Sequence, residues 1–131
     1  MLYEIKVNHS IVKPDGEEKD VVELFLHDCE LFAQAELKGL EEFDNDCDVV
    51  GIARSKIIEI VNKETEHSFF KGKVVETIVD DNGNDKERAY YILCNAENVT
   101  KATKIFEDHL KQGLEDLRLD AVVKTKIVDI I

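Results

Sequence analysis

Residues 11–19 read IVKPDGEEK, and residues 78–86 read IVDDNGNDK. The same apolar pair, acidic turn, glycine and lysine recur 67 positions apart. When residues 3–30 are set against those 67 positions later, eight of 28 pairs are identical, where about two are expected from average composition. They are Lys6/Lys73, Val7/Val74, Ile11/Ile78, Val12/Val79, Gly16/Gly83, Lys19/Lys86, Leu26/Leu93 and Glu30/Glu97, and they run along the whole stretch. Further on the offset becomes 70, and RSKIIEIV (54–61) lies on KTKIVDII (124–131) with three identities and five conservative pairs. A period this long, in two copies, is a duplicated unit rather than a solenoid.

The content of one unit follows from its periodicity. Tyr3, Ile5, Val7 and Ile11 alternate with Glu4, Lys6, Asn8 and Ser10, as in a half-buried strand. The glycine of PDG and of DNG suits a hairpin loop, and a second alternating run follows each. Val22, Leu24 and Leu26 are expected on the buried face in the first copy, and Ala89, Tyr91 and Leu93 in the second. Asp28 and Asn95 are suited to begin helices over residues 29–43 and 96–117, with Glu30 and Glu97 in the first turns. The helical spacing assigns Phe32, Ala35, Gly39, Leu40 and Phe43 to one buried stripe, and Val99, Ala102, Phe106, Leu110, Gly113 and Leu117 to the other. Long strands over 49–61 and 119–131 close the units. The expected fold is α+β: two β-β-α-β repeats, 1–61 and 69–131, joined by a linker at 62–68. Together they give a largely antiparallel six-stranded sheet with two helices on one face, in a single domain.

Bulk properties narrow the function. The chain has 131 residues, 44% of them apolar, enough for one core. Three cysteines without C-x-x-C spacing argue against a disulfide framework or a zinc site and suit a reducing cytoplasm. The start, MLYEIKV, enters a strand pattern with no basic and apolar leader, and no apolar run has the length of a membrane span, so neither export nor membrane insertion is expected. The net charge of −12 opposes non-specific binding to nucleic acid and to anionic membranes.

Catalytic and metal patterns are missing. DNDCD (44–48) and DDNGND (80–85) are acidic, but a calcium loop needs an acid five positions before its glycine, and Ile78 stands there. His9, His27, His67 and His109 are single, and there is no phosphate-binding glycine loop or nucleophile elbow. No metal, no cofactor and no enzymatic activity are expected.

Two constellations remain as candidate binding sites. Arg54 and Lys56 alternate onto the face of Val50, Ile52, Ile58 and Ile60, and Lys124 and Lys126 onto that of Val122, Val128 and Ile130. With Arg88 and Tyr90 they could form a pocket for an anionic ligand such as a nucleotide; the alternative is that they reach the surface at a bulge or strand end and pair with acids. The second set is Phe25 and His27 in one copy and Arg88, Tyr90 and Ile92 in the other, on the open side of the hairpins. Such a face suits a protein partner, most simply a second copy in a homodimer.

The motif L-x-D-C-x-x-F-x-x-A-E (26–36), YEIKV (3–7), FFKGKV (69–74) and the ending LDAVVKTKIVDII (119–131) resemble a family of small proteins of unknown function from Bacteroides-type gut bacteria and their crAss-like and other phages. Members commonly carry tryptophan near the first strand and at the start of the second unit; this chain has Leu2 or Tyr3 and Phe69 there. The resemblance implies a phage or mobile-element accessory protein acting in the bacterial cytoplasm. The expected role is non-catalytic binding of a host or phage protein, with sequestration of a small anionic nucleotide immune signal as the first alternative and an uncharacterised enzyme as the last.

Overall fold

The computed structural model describes residues 1–63, 66–113 and 116–131. It contains eight strands and two helices in two four-stranded sheets, rather than one sheet of six strands. The order is β1 (Leu2–Val12), β2 (Glu18–Asp28), α1 (Phe32–Glu42), β3 (Asp48–Arg54), β4 (Ile57–Ile60), β5 (Ser68–Val79), β6 (Asp85–Ala96), α2 (Val99–Leu110), β7 (Leu117–Lys124) and β8 (Ile127–Ile130).

The expected long closing strands each break in two. β3 stops at Arg54, and β4 resumes at Ile57 as a neighbour of β6; β7 stops at Lys124, and β8 resumes at Ile127 as a neighbour of β2. The sheets therefore run β3-β1-β2-β8 and β4-β6-β5-β7. Both added strands pair in parallel, and all other pairings are antiparallel. The chain forms two compact units, one of residues 1–55 with 126–131 and one of 56–125. Each repeat gives its last short strand to the sheet of the other.

The breaks also reset the side-chain phase. Ile57 and Ile127 are buried, whereas Ile58 and Val128 are exposed. A bulge in each preceding strand shifts it further: β3 skips Val50 between the pairs Lys6↔Gly51 and Val7↔Val49, and β7 skips Asp120 between Lys73↔Ala121 and Val74↔Leu119. Val49 and Ile52 consequently face the first core and Val50 faces out.

The hairpins turn as the glycines predict. Gly16 and Gly83 have φ of +87° and +79°, which the absence of a Cβ permits. Asp15 Oδ1 accepts from the Glu17 amide, and Asp80 Oδ1 accepts from those of Asn82 and Asn84. The acidic runs thus serve as turn acceptors.

The helices start three residues later than expected, because β2 and β6 run through Asp28 and Asn95. Gln34 Oε1 accepts from the Glu30 and Leu31 amides at 3.1 Å, and Asn98 caps α2 by accepting from the Lys101 amide at 2.9 Å. Phe32 and Val99, at the helix starts, are half exposed. The predicted second helix continued to residue 117; Leu117 begins β7 instead, and residues 114–115 lie outside the described residues, as do 64–65 of the predicted linker.

Each helix packs on its own sheet. In the first unit Tyr3, Ile5, Val7, Phe25 and Ala35 form the core, flanked by Phe43, Val49, Ile52 and Ile131. In the second it is Phe70, Val74, Ile92, Cys94, Ala96, Ala102 and Phe106, flanked by Tyr90, Leu110, Leu117, Leu119 and Val122. The phase of β2 and β6 is therefore opposite to the one expected: Phe25, Tyr90 and Ile92 point to the helix. Leu26 and Leu93, on the other face, are fully buried as well.

Candidate functional site

Burial redistributes the predicted interface. Phe25 is 5% exposed and Ile92 1%, so neither is available to a partner. His27 is half-buried with Nδ1 2.6 Å from the Ile131 carbonyl oxygen, which ties β2 to the chain's last residue. Tyr90 is half-buried against the second core.

The predicted cations divide between the units. Arg54 and Lys126 belong to the first, Lys56 and Lys124 to the second. All four are exposed, and none forms an ion pair among the described residues. Arg88 is engaged elsewhere: its Nη2 donates to Glu76 Oε2 at 2.6 Å, directly across the β5–β6 ladder. Glu76 is 8% exposed, and this guanidinium is the cation that compensates its largely desolvated carboxylate.

The first unit carries a related pair that the sequence does not announce. His9 stacks on Phe43 with ring centroids 4.1 Å apart, and its Nε2 contacts Glu23 Oε1. Nothing in the linear spacing of 14 residues marks them. Beside them Asn8, Ser10, Asp20, Asn45, Asp46, Cys47 and Asp48 border a polar depression of about 340 Å³. Among the described residues no group of three or more His, Cys, Asp or Glu side chains could hold a metal ion.

The hairpins extend past their sheets. β3 accompanies β1 only to Asn8, and β8 accompanies β2 only over Leu24–Leu26, so residues 9–12 and 18–21 form a two-stranded arm. In the second unit β7 accompanies β5 only from Phe70 to Glu76, leaving residues 77–79 and 85–87 as the equivalent arm. Ile11, Val12, Val22 and Val79 are 40%, 71%, 58% and 67% exposed on or beside these arms. Asp15, Glu17, Glu18 and Asp20 crowd the first tip and Asp80, Asp81, Asp85 and Glu87 the second. Arg118 forms two hydrogen bonds to Glu87, which lower that carboxyl's pKa and raise the guanidinium's.

A cleft lies at the C-terminal end of α2. Glu59, Tyr90, Ile92, His109, Leu110, Gln112, Gly113 and Leu117 enclose about 260 Å³. Within it His109 Nε2 stands 3.0 Å from Glu59 Oε1. These two residues are 50 positions apart, on an edge strand and on a helix, and neither belongs to a motif.

Two of the thiols, Cys94 and Cys47, are held away from the reactive thiolate form. Burial pushes Cys94 up to about 12, and burial together with Asp48 and Asp46 raises Cys47. No helix among the described residues is long and apolar enough to cross a membrane.

The fold and these surfaces define a class: an α+β protein of two duplicated units that exchange their terminal strands. A family model described as domain of unknown function DUF4494 matches residues 1–131, and the chain belongs to that family. No curated protein and no solved structure matches it.

Proposed function

We propose that the protein is a non-catalytic binding module that engages a basic protein surface through its two hairpin arms. The observation that carries this reading is the arms themselves. A two-stranded ribbon without further strands is marginal in water, yet each arm presents exposed valine or isoleucine beside four acids. A partner with apolar residues among lysines and arginines would cover the former and complement the latter, and the net charge of −12 would steer it in. The family resemblance supports the setting: an accessory protein of a phage or mobile element, acting on a host or phage protein in the bacterial cytoplasm.

The test is cross-linking in lysate of a bacterium carrying the gene, with three forms of the chain: wild type, Val12→Asp/Val22→Asp, and Asp15→Lys/Glu17→Lys/Glu18→Lys. All substituted residues are exposed, so folding changes by about 0.5 kcal/mol per site, and by about 1 kcal/mol at Asp15, whose carboxylate accepts from the Glu17 amide. The expected result is one basic polypeptide captured by wild type and lost with either variant. Retention by both variants, or an acidic captured partner, overturns the reading.

A second reading, capture of a small anionic nucleotide, draws support from Arg54, Lys56, Lys124 and Lys126. They are exposed cations without ion-pair partners among the described residues, in a strongly acidic chain. Calorimetry with cyclic and ADP-ribose-type nucleotides distinguishes it: heat that disappears in Arg54→Ala/Lys126→Ala, the pair of the first unit, or in Lys56→Ala/Lys124→Ala, the pair of the second, supports this reading, and no heat removes it.

A further inference from the structure

We infer that the cleft at the end of α2 binds a small organic cation with an apolar body, a primary alkyl- or arylamine. This goes beyond the role of the hairpin arms and uses none of their residues.

Its floor and its rim differ in chemistry. Ile92, Leu110 and Leu117 belong to or pack on the second core, giving an apolar floor. Glu59, Gln112 and Tyr90 supply polar groups at the sides. Among the described residues no lysine or arginine lines the cleft, and the C-terminal end of α2, which carries the negative end of the helix dipole, closes one wall. An anion would meet a carboxylate and a helix C-terminus; an ammonium group is favoured by both. His109 uses Oε1 of Glu59, while Oε2 has no partner among the described residues and can accept from a ligand ammonium. The Tyr90 ring adds a face on which a cation or an aromatic body can rest. A cavity of about 260 Å³ accommodates a ligand of about nine non-hydrogen atoms, at the roughly 30 Å³ that each liquid water occupies.

Comparison of the repeats singles out the same place. Equivalent positions carry Glu23 for Tyr90, Glu42 for His109 and Asp129 for Glu59, so the first unit has acids throughout and neither the phenol nor the imidazole. Three residues separate Phe43 from Cys47, whereas six separate their counterparts Leu110 and Leu117. The change of offset from 67 to 70 is thus located at the cleft. The duplicated unit has been altered in length and chemistry where the pocket lies.

The experiment is a pair of titrations of the full chain, followed by amide and aromatic NMR: phenethylammonium, and 3-phenylpropionate as a similar body with opposite charge. The expected result is that phenethylammonium shifts resonances of Tyr90, His109 and Gln112 at millimolar concentration and that 3-phenylpropionate does not. Glu59→Gln should weaken the ammonium at least about tenfold, the loss of a charge-assisted hydrogen bond. Glu23→Gln, which changes the carboxylate at the position equivalent to Tyr90, should leave it unchanged. No shifts with wild type at about 10 mM, equal binding of the two probes, or full affinity in Glu59→Gln each overturn the inference. The comparison of the two probes on wild type needs no variant to fold.

Discussion

In the first unit Ile5 on β1 fills the space beside Gly39 on α1; in the second, Phe106 on α2 fills the space beside Gly72 on β5. Ile5 and Gly72 occupy equivalent positions in the repeat, and so do Gly39 and Phe106. A Cβ on Gly39 would sit 3.0 Å from Ile5 Cγ2, and one on Gly72 3.0 Å from two ring carbons of Phe106. The same helix–strand contact is large on the strand and small on the helix in one unit, and reversed in the other. The backbone links, by contrast, are repeated. Ser55 N donates to Leu2 O where Thr125 N donates to Phe69 O, and Ile131 N to Leu26 O where Val61 N donates to Leu93 O. Duplication has kept the hydrogen-bonded frame and the filled volume, and has let the residues that supply the volume trade places.

Transplanting one solution into the other unit tests this most severely. Gly72→Ile alone overpacks the second core and should cost about 3 kcal/mol. Phe106→Gly alone empties it and weakens α2, costing about 5 kcal/mol. The double variant copies the first unit's arrangement and should be less destabilised than the sum by at least about 1 kcal/mol, measured by urea unfolding. Strict additivity would mean that the two sites do not share one space.

The same pair explains what could be read from the sequence. The hairpins, their glycines, the helix order and the repeat were legible because each leaves a local signature of alternation, a positive φ or a fixed offset. The side on which β2 and β6 are buried was not. Both faces of these strands carry apolar residues near their ends, Phe25 with Leu26 and Ile92 with Leu93, and alternation cannot choose between two apolar faces. The exchange of terminal strands was equally hidden, since Arg54-Ser55-Lys56 continues an alternating pattern with no glycine or proline to mark the break. The cation positions were legible as residues, but not the break that assigns Arg54 and Lys56 to different units. Glu59 and His109 meet only through the pairing of β4 with β6 and the packing of α2, neither of which has a linear trace.

A smaller effect separates the units beyond the helix ends. His9 and Glu76 are equivalent positions, and each enters an ion pair or hydrogen bond of a different kind: with Glu23 in one unit, with Arg88 in the other. Glu76 is the more buried carboxylate, with an 11% exposed side chain against 29% for Glu23. Arg88→Ala should therefore cost about 2 kcal/mol, reduced from the value of a fully buried pair because the arginine is itself exposed. Adding Glu76→Gln should recover about half of that loss. His9→Ala, which removes the stacking on Phe43 and leaves a better-solvated glutamate, should cost about 1 kcal/mol. Thermal unfolding of the four proteins checks the order; a larger loss at His9 than at Arg88 would show that stacking outweighs charge burial here.

The smallest contrast is between Cys94 and its counterpart His27, and it is visible only at alkaline pH. Burial among Phe70, Ile92 and Phe106 holds the Cys94 thiol protonated up to about 12, against an ordinary value of 9.0. The folded state therefore binds more protons than the unfolded state between those values, so stability is complete below pH 9 and falls as pH rises toward 12. At pH 9.5 the loss from this group is about 0.8 kcal/mol relative to pH 8, because only the unfolded chain can release the proton. Cys94→Ala should start from a lower stability, having lost a buried side chain, but should lack this part of the alkaline slope. Urea unfolding of both proteins at pH 8 and 9.5 isolates the difference from that of lysines and tyrosines titrating in the same range. Equal slopes would show that Cys94 ionises in the folded second unit, and that the core around Phe106 opens to solvent far more readily than the core around Ile5.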